Sequence, residues 1–328
     1  MTQETGKVKW DRVQNRVGKL REAIGTVVIG QETIVEQMLV ALICRGHCLI
    51  VGVPGLAKTL LVSTLGTILG LSFRRIQFTP DLMPMDILGS EILQGNDGGG
   101  ERAFKFVRGP IFANLILADE INRTPPKTQA ALLEAMQEKQ VTVAGQTWQL
   151  EAPFLVYATQ NPIEHEGTYP LPEAQLDRFF AMLKIDYPSL DQEREIVTKT
   201  SGGDLPAPEP VLNREDVLEL QEACAEIPLP DNALEAILKL VHSSRPSAEL
   251  SGDFVRKYVE WGAGPRGAQN LARAARALAM LRGNSAASIE EVRELAAPVL
   301  RHRIIPNYNA TGEGVSVEDI ITHLLEKL

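Results

Sequence analysis

The chain has 328 residues, 44% hydrophobic and 23% charged, which excludes disordered and fibrous classes and is long for one core. Its 33 basic and 42 acidic side chains leave a net charge of −9, a poor balance for a dedicated duplex binder. Cys44, Cys48 and Cys224 cannot form a disulfide framework and fit no zinc spacing. The opening MTQETGKVKWDR is polar and lacks a signal-peptide core. Met38–Val53, the most apolar region, is broken by Arg45 and His47 and is too short for a bilayer. The expected setting is cytoplasmic.

In chain order, Val8–Ile24 reads as a polar amphipathic helix. A second helix carries Ile34, Val35, Met38 and Leu42 at helical spacing and stops at Gly46. Cys48–Val51 is a short apolar run, as a strand covered on both faces should be. The loop Gly52-Val53-Pro54-Gly55-Leu56-Ala57 follows, and a helix opens at Lys58-Thr59. Glycines let such a loop turn its N–H groups inward, and the helix behind adds a positive dipole end. The spacing is that of a phosphate-binding P-loop: Lys58 reaches the β- and γ-phosphates and the Thr59 hydroxyl ligates Mg²⁺. Ala57 stands where glycine is usual, a departure expected to be mild because the position opens a helix. Leu60, Leu61, Leu65 and Ile68 are the expected core face of that helix.

Phe73–Thr79 reads as a strand and Leu82–Gly89 as a short helix or turn. Glu91–Gly109 reads equally as an exposed hairpin about a glycine turn or as a mobile loop. Asn114–Glu120 is a second buried strand ending in two carboxylates, some sixty residues after the P-loop. In that context Asp119 holds Mg²⁺ and Glu120 polarises the attacking water. Pro125-Pro126 opens a helix through Lys139, and Val141–Leu150 alternates about Ala144-Gly145 as another hairpin. Phe154–Ala158 is a buried strand ending in Thr159-Gln160-Asn161-Pro162. Ligands of parallel sheets bind at that edge, so Asn161 is placed to orient water or touch the γ-phosphate. Arg178 precedes a fifth strand, Ala181–Tyr187. It is either a surface ion pair or an arginine supplied to a neighbour's nucleotide.

Ser189 with Gln192 begins a further helix, and the Gly/Pro-rich Ser201–Pro210 is a connector. Only helical patterns are read beyond it: Leu234, Ile237, Leu238 and Val241 behind an Asp231 cap, a helix from Gly264-Pro265-Arg266 to Gly283, one from a Ser288/Glu291 capping box, and one from Ser316. The expected domains are a core over 1–200 and a helical lid over 201–328, with the boundary inside 187–210. Arg266, in a first turn where a cation opposes the dipole, is either an exposed arginine or a lid arginine aimed at phosphate.

With GVPGLAKT, the stretches FTPDLMPMDILGSE, GPIFANLILADEINRTPPKTQAALLEAMQEKQVTV, ATQNPIEHEGTYPLPEAQLDRF and HRIIPNY cover most of Ile29–Tyr187 and touch the lid. Together they resemble an AAA+ ATPase of the MoxR family. The resemblance implies an α/β fold: a P-loop core with a five-stranded parallel sheet in order 5-1-4-3-2, plus a C-terminal α-helical lid. It implies that Asn161 is sensor 1, Arg178 the arginine finger acting in trans and Arg266 sensor 2, in cis or in trans. Gly30-Gln31 would lie beside adenine, and both hairpins would face a pore or a client. ATP and Mg²⁺ are the implied cofactors, in a homo-oligomeric ring, normally a hexamer. A client protein, a von Willebrand factor A-domain partner and a metal-dependent enzyme are implied by family analogy. The rival readings are an ATP-binding assembly switch, a DNA motor, disfavoured by the acidic balance, and a metal-chelatase subunit.

Overall fold

A computed structural model describes residues 2–28, 30–94, 103–163, 167–201 and 208–328. Five parallel strands form its centre: β1 (Cys48–Val51), β2 (Phe73–Gln77), β3 (Leu115–Asp119), β4 (Leu155–Gln160) and β5 (Ala181–Lys184). Their spatial order is β2-β3-β4-β1-β5, the expected 5-1-4-3-2 read from the other edge. β3 is buried along its whole length and β4 along all but its last residue, which is why they are near-continuous apolar runs. β2 lies at an edge and tolerates Arg74 and Arg75. Because all strands run the same way, the segments after β1, β3 and β4 meet at one edge.

Side chains alternate across each strand, and the alternation divides the interior in two. Cys48, Ile50, Leu117 and Tyr157 join one core; Leu49, Ile116, Ala118 and Val156 join the other. Helices α1 (Thr2–Gly25), α2 (Glu32–Ile43) and α3 (Lys58–Ile68) cover the first face. After α4 (Pro84–Leu88), α5 (Pro126–Glu138) covers the second with Leu132, Leu133 and Met136. The short α6 (Glu173–Leu176) precedes β5, and α7 (Leu190–Thr200) follows it behind the expected Ser189/Gln192 capping box.

The C-terminal helices are α8 (Arg214–Glu226), α9 (Asp231–Ser243), α10 (Asp253–Tyr258), α11 (Pro265–Arg282), α12 (Ile289–Leu300), α13 (Tyr308–Glu313) and α14 (Val317–Glu326). Their apolar faces are continuous with the core around α2. Among the described residues no helix is long and apolar enough to cross a membrane.

Several expectations are corrected. The C-terminal part is not wholly helical: Val259–Trp261 pairs antiparallel with Ile305–Pro306. Leu60 is 47% exposed because Leu61, Val62 and Leu65 set the buried phase of α3 and leave it facing the loop. Leu234 and Leu238 are partly exposed beside an inward stripe of Ala233, Ile237, Leu240 and Val241. Pro230, not Asp231, is the cap of α9, and Asp231 complements the dipole from the first turn.

His47 locks the start of β1. Its Nδ1 accepts the Val156 N–H (3.0 Å), so Nε2 carries the proton and donates to the Met136 carbonyl (3.1 Å). Burial lowers its pKa to about 4 from an ordinary 6.5. With the folded value below the unfolded one, the unfolded chain takes the proton first on acidification. The neutral ring therefore contributes stability that is complete above pH 6.5 and is lost as pH falls toward 4. Urea midpoints over that window are expected to show a fall of roughly 3 kcal/mol from this site. His47→Gln flattens that slope; equal slopes would place the charge dependence elsewhere.

Candidate active site

At the carboxyl edge of the sheet, β1 runs through Gly52–Ala57 into α3. A Cβ on Gly52 would lie 2.7 Å from the Ile185 carbonyl, so only glycine lets the loop pass the end of β5. Gly55 has φ +85. Ala57 also lies in the left-handed region, at φ 53, so the departure from glycine is less mild than its helix-opening position suggested. It costs roughly 1 kcal/mol. Ala57 offers no side-chain cap, which leaves the first N–H groups of α3 for an anion. Lys58 Nζ donates to the Gly52 and Val53 carbonyls at 2.5 and 3.0 Å. Burial lowers its pKa, against the charges of Asp119 and Glu120.

The carboxylates at the end of β3 are held by polar neighbours. Thr159 Oγ1 donates to Asp119 Oδ1 (2.6 Å) and accepts the Glu120 N–H (2.8 Å), so one hydroxyl ties β4 to both acids. Arg75 donates to Asp119 Oδ2 through Nε (3.0 Å) and Nη2 (2.6 Å). Gln77 Nε2 and Arg123 Nε each lie 3.1 Å from Glu120 Oε2. Glu120 sits at φ 57, ψ 50, a strained conformation for so large a side chain. Asn161 is buried; its Oδ1 accepts the Ile163 N–H (3.3 Å), while its Nδ2 has no partner among the described residues.

A 430 Å³ cleft brings together Pro54 to Leu60, Asp119, Glu120, Thr159 and Asn161. The donor set fits Mg²⁺: one hydroxyl and carboxylates are hard oxygens too few for an all-protein cage, and this ion keeps waters and phosphate oxygens. The unpartnered Asn161 amide fits a phosphate oxygen or a water.

Gly30 and Gln31 do not line this cleft. Gly30 (φ +72) packs on Gln192 at the start of α7, and Gln31 caps α2 with a buried Oε1 that has no partner among the described residues. Arg178 and Arg266 do not line it either. They share a separate 230 Å³ cavity with Arg45, His47, Phe180 and Arg273. His47 and Phe180 immediately precede β1 and β5, so this cavity opens at the amino edge of the sheet. The height of the sheet separates both arginines from their own P-loop.

Sequence reading missed Arg75, Gln77 and Thr159. Alternation on β2 puts Arg75 and Gln77 on one face, and Gln77 pairs directly with Asp119. The order of the strands was in hand; the residue register between β2 and β3 was the missing signal.

The Glu91–Gly109 region is a hairpin, Gly89–Gln94 paired with Ala103–Arg108; its expected glycine turn, within residues 95–102, lies outside the described residues. The second hairpin pairs Gln140–Val143 with Gln146–Gln149. Phe106 of the first stacks on Trp148 of the second at 4.9 Å, and Arg108 lies over Trp148 and Phe112.

Residues 47–181 match the ATPase family associated with various cellular activities (AAA), and residues 253–324 match the AAA lid domain. Chaperone MoxR1 of Mycobacterium tuberculosis is 44% identical over 300 residues, 92% of this chain and 78% of that protein. Uncharacterized protein YeaC of Bacillus subtilis is 41% identical, covering 94% and 93%. Protein MoxR of Paracoccus denitrificans is 29% identical, covering 89% and 90%. The crystal structure of a Cytophaga hutchinsonii protein assigned as an ATPase superposes with a TM-score of 0.92 at 41% identity, over 99% and 98% of the two chains.

Proposed function

The chain belongs to the MoxR family of AAA+ ATPases, and on that premise we propose that it is a ring-forming, Mg²⁺-dependent chaperone motor. Nucleotide binding and ATP hydrolysis come with the family. The observation that carries the residue assignment is the convergence on the P-loop cleft of the Glu120 carboxylate and the Asn161 amide, which has no partner among the described residues.

In this reading the amides of Gly52 to Thr59 and the Lys58 ammonium bind the phosphates and stabilise charge as it spreads over the γ-oxygens. Thr59 and Asp119 would hold Mg²⁺, which when bound would neutralise phosphate charge. Arg75 and Thr159 fix the Asp119 carboxylate from both sides. Glu120 accepts a proton from the attacking water, and Asn161 orients that water or a γ-oxygen. Gly30 and Gln31 are assigned to the base only by family pattern. Arg178 and Arg266, at the opposite edge from their own cleft, act on the nucleotide of the next subunit, which requires a closed ring, normally a hexamer.

The motor's parts are a core over residues 1–200 and a lid over 201–328. Its output is remodelling or maturation of a client protein, with a metalloenzyme and a von Willebrand factor A-domain protein as the family-type partners. The two stacked hairpins support a client or pore surface, with Phe104 70% exposed on the first. A pure assembly switch has no use for a Glu120 held in strained geometry beside Asp119.

Steady-state ATPase rate against protein concentration, with mass measured in parallel, tests the shared site. Specific activity is expected to climb steeply as subunits assemble. A flat rate from a monomer would mean that each subunit hydrolyses ATP alone, and the trans arginines would be withdrawn.

A further inference from the structure

The turn that presents Arg178 is built from the core, yet the lid holds it. Arg303 lies just after α12, and its side chain is 2% exposed. Its Nε donates to Asp177 Oδ1 at 2.8 Å, Nη2 to the Phe179 carbonyl at 2.6 Å and the Asp177 carbonyl at 3.2 Å, and Nη1 to the Phe180 carbonyl at 3.2 Å and to the Val299 carbonyl. His302, also buried, donates Nε2–H to the Phe179 carbonyl at 3.2 Å. Arg266 takes the other carboxylate oxygen, Asp177 Oδ2, at 3.0 Å. One guanidinium thus grips the residues on both sides of Arg178, and two lid arginines share the carboxylate next to it.

This arrangement does more than glue lid to core. An ion pair with one partner buried is weak evidence of stability, since desolvating the Arg303 cation consumes much of the attraction to a half-exposed Asp177. Apolar contact serves adhesion better, and the continuous core between α2 and the lid already supplies it. What the planar fork adds is geometry: several donors fixed in one plane hold three main-chain carbonyls in one conformation. Burial lowers the Arg303 pKa to about 10, opposed by Asp177, so the cation persists at neutral pH.

We propose that Arg303, through Asp177 and the carbonyls of residues 177, 179 and 180, is the positioning residue that aims Arg178 at the neighbouring subunit's nucleotide. A subunit presents its arginine only while its lid is docked, so lid movement in one subunit sets the rate in the next. This rests on the reading of Arg178 as a trans arginine.

The test uses full-length Arg303→Lys and Asp177→Asn, each alone and mixed with Lys58→Ala subunits. Lysine keeps the charge but cannot span the three carbonyls. Each variant alone is expected to lose about 10- to 100-fold in kcat, as misplacement of a reacting group does, with KM for ATP and ring mass unchanged. Lys58→Ala is inactive because its own cleft cannot bind ATP, but it carries an intact Arg178. Mixed rings are therefore expected to exceed either parent, since the variant's intact P-loop faces a correctly aimed arginine. A defect in folding or in the variant's own cleft is not rescued this way. Arg178→Ala mixed with Lys58→Ala is the control. Full turnover by Arg178→Ala alone would overturn the trans reading itself. Loss and rescue in that control, with wild-type rates or no rescue for Asp177→Asn, would overturn the role given to Arg303. Should Arg303→Lys fail to melt cooperatively, Asp177→Asn decides, because its half-exposed side chain is replaced without change of shape.

Discussion

Arg178→Ala is expected to lower the ATPase rate of the assembled protein by about 10³–10⁵-fold while ATP binds with unchanged affinity. The size follows from what an arginine does in phosphoryl transfer. Charge grows on the γ-oxygens in the transition state, and a cation placed there stabilises that state more than bound ATP. The unchanged affinity follows from position. Arg178 lines the cavity at the amino edge, with Arg45, Arg266 and Arg273, and has no place in its own cleft. Kinetics at saturating ATP, with nucleotide binding measured separately, check both halves. A rate within threefold of wild type would make Arg178 a structural surface cation. A parallel loss of affinity would assign it to ground-state binding instead.

What was legible in the sequence follows from how locally each feature is determined. The P-loop and Asp119-Glu120 were readable because strand, loop and helix are contiguous and the chemistry is local. The sheet order came from family resemblance, and the pairings Cys48↔Tyr157 and Gln77↔Asp119 agree with it. Capping boxes at Ser189 and Ser288, and the start of the last helix at Ser316, were legible for the same local reason. Contacts across large separations were not. Arg75 reaches Asp119 across 44 positions and Arg303 reaches Asp177 across 126. Neither residue carries a local mark of its role, and Arg303 sits in a stretch noticed only as a family signature. Leu60, Leu234 and Leu238 failed differently: an apolar residue one step off a helical stripe fits the period about as well as one on it.

Glu120→Gln should reduce turnover by about 10²–10⁴-fold, because the amide keeps the shape but cannot take the proton of the attacking water. The surroundings favour a clean result. Gln77 and Arg123 approach one oxygen of the carboxylate, and the Glu120 N–H stays bonded to Thr159 whichever side chain is present. The left-handed backbone at φ 57 is a cost that both residues bear equally, so the melting temperature is expected to hold. ATP then accumulates uncleaved in the cleft, with Lys58, Thr59 and Asp119 intact. Quench-flow measurement of bound ATP and ADP reads this directly. Turnover within threefold of wild type would remove Glu120 from the chemistry. Trapped ATP with undiminished action on a client would be more informative still. Binding alone would then supply the conformational work, and the strained carboxylate would serve to reset the ring rather than to drive it.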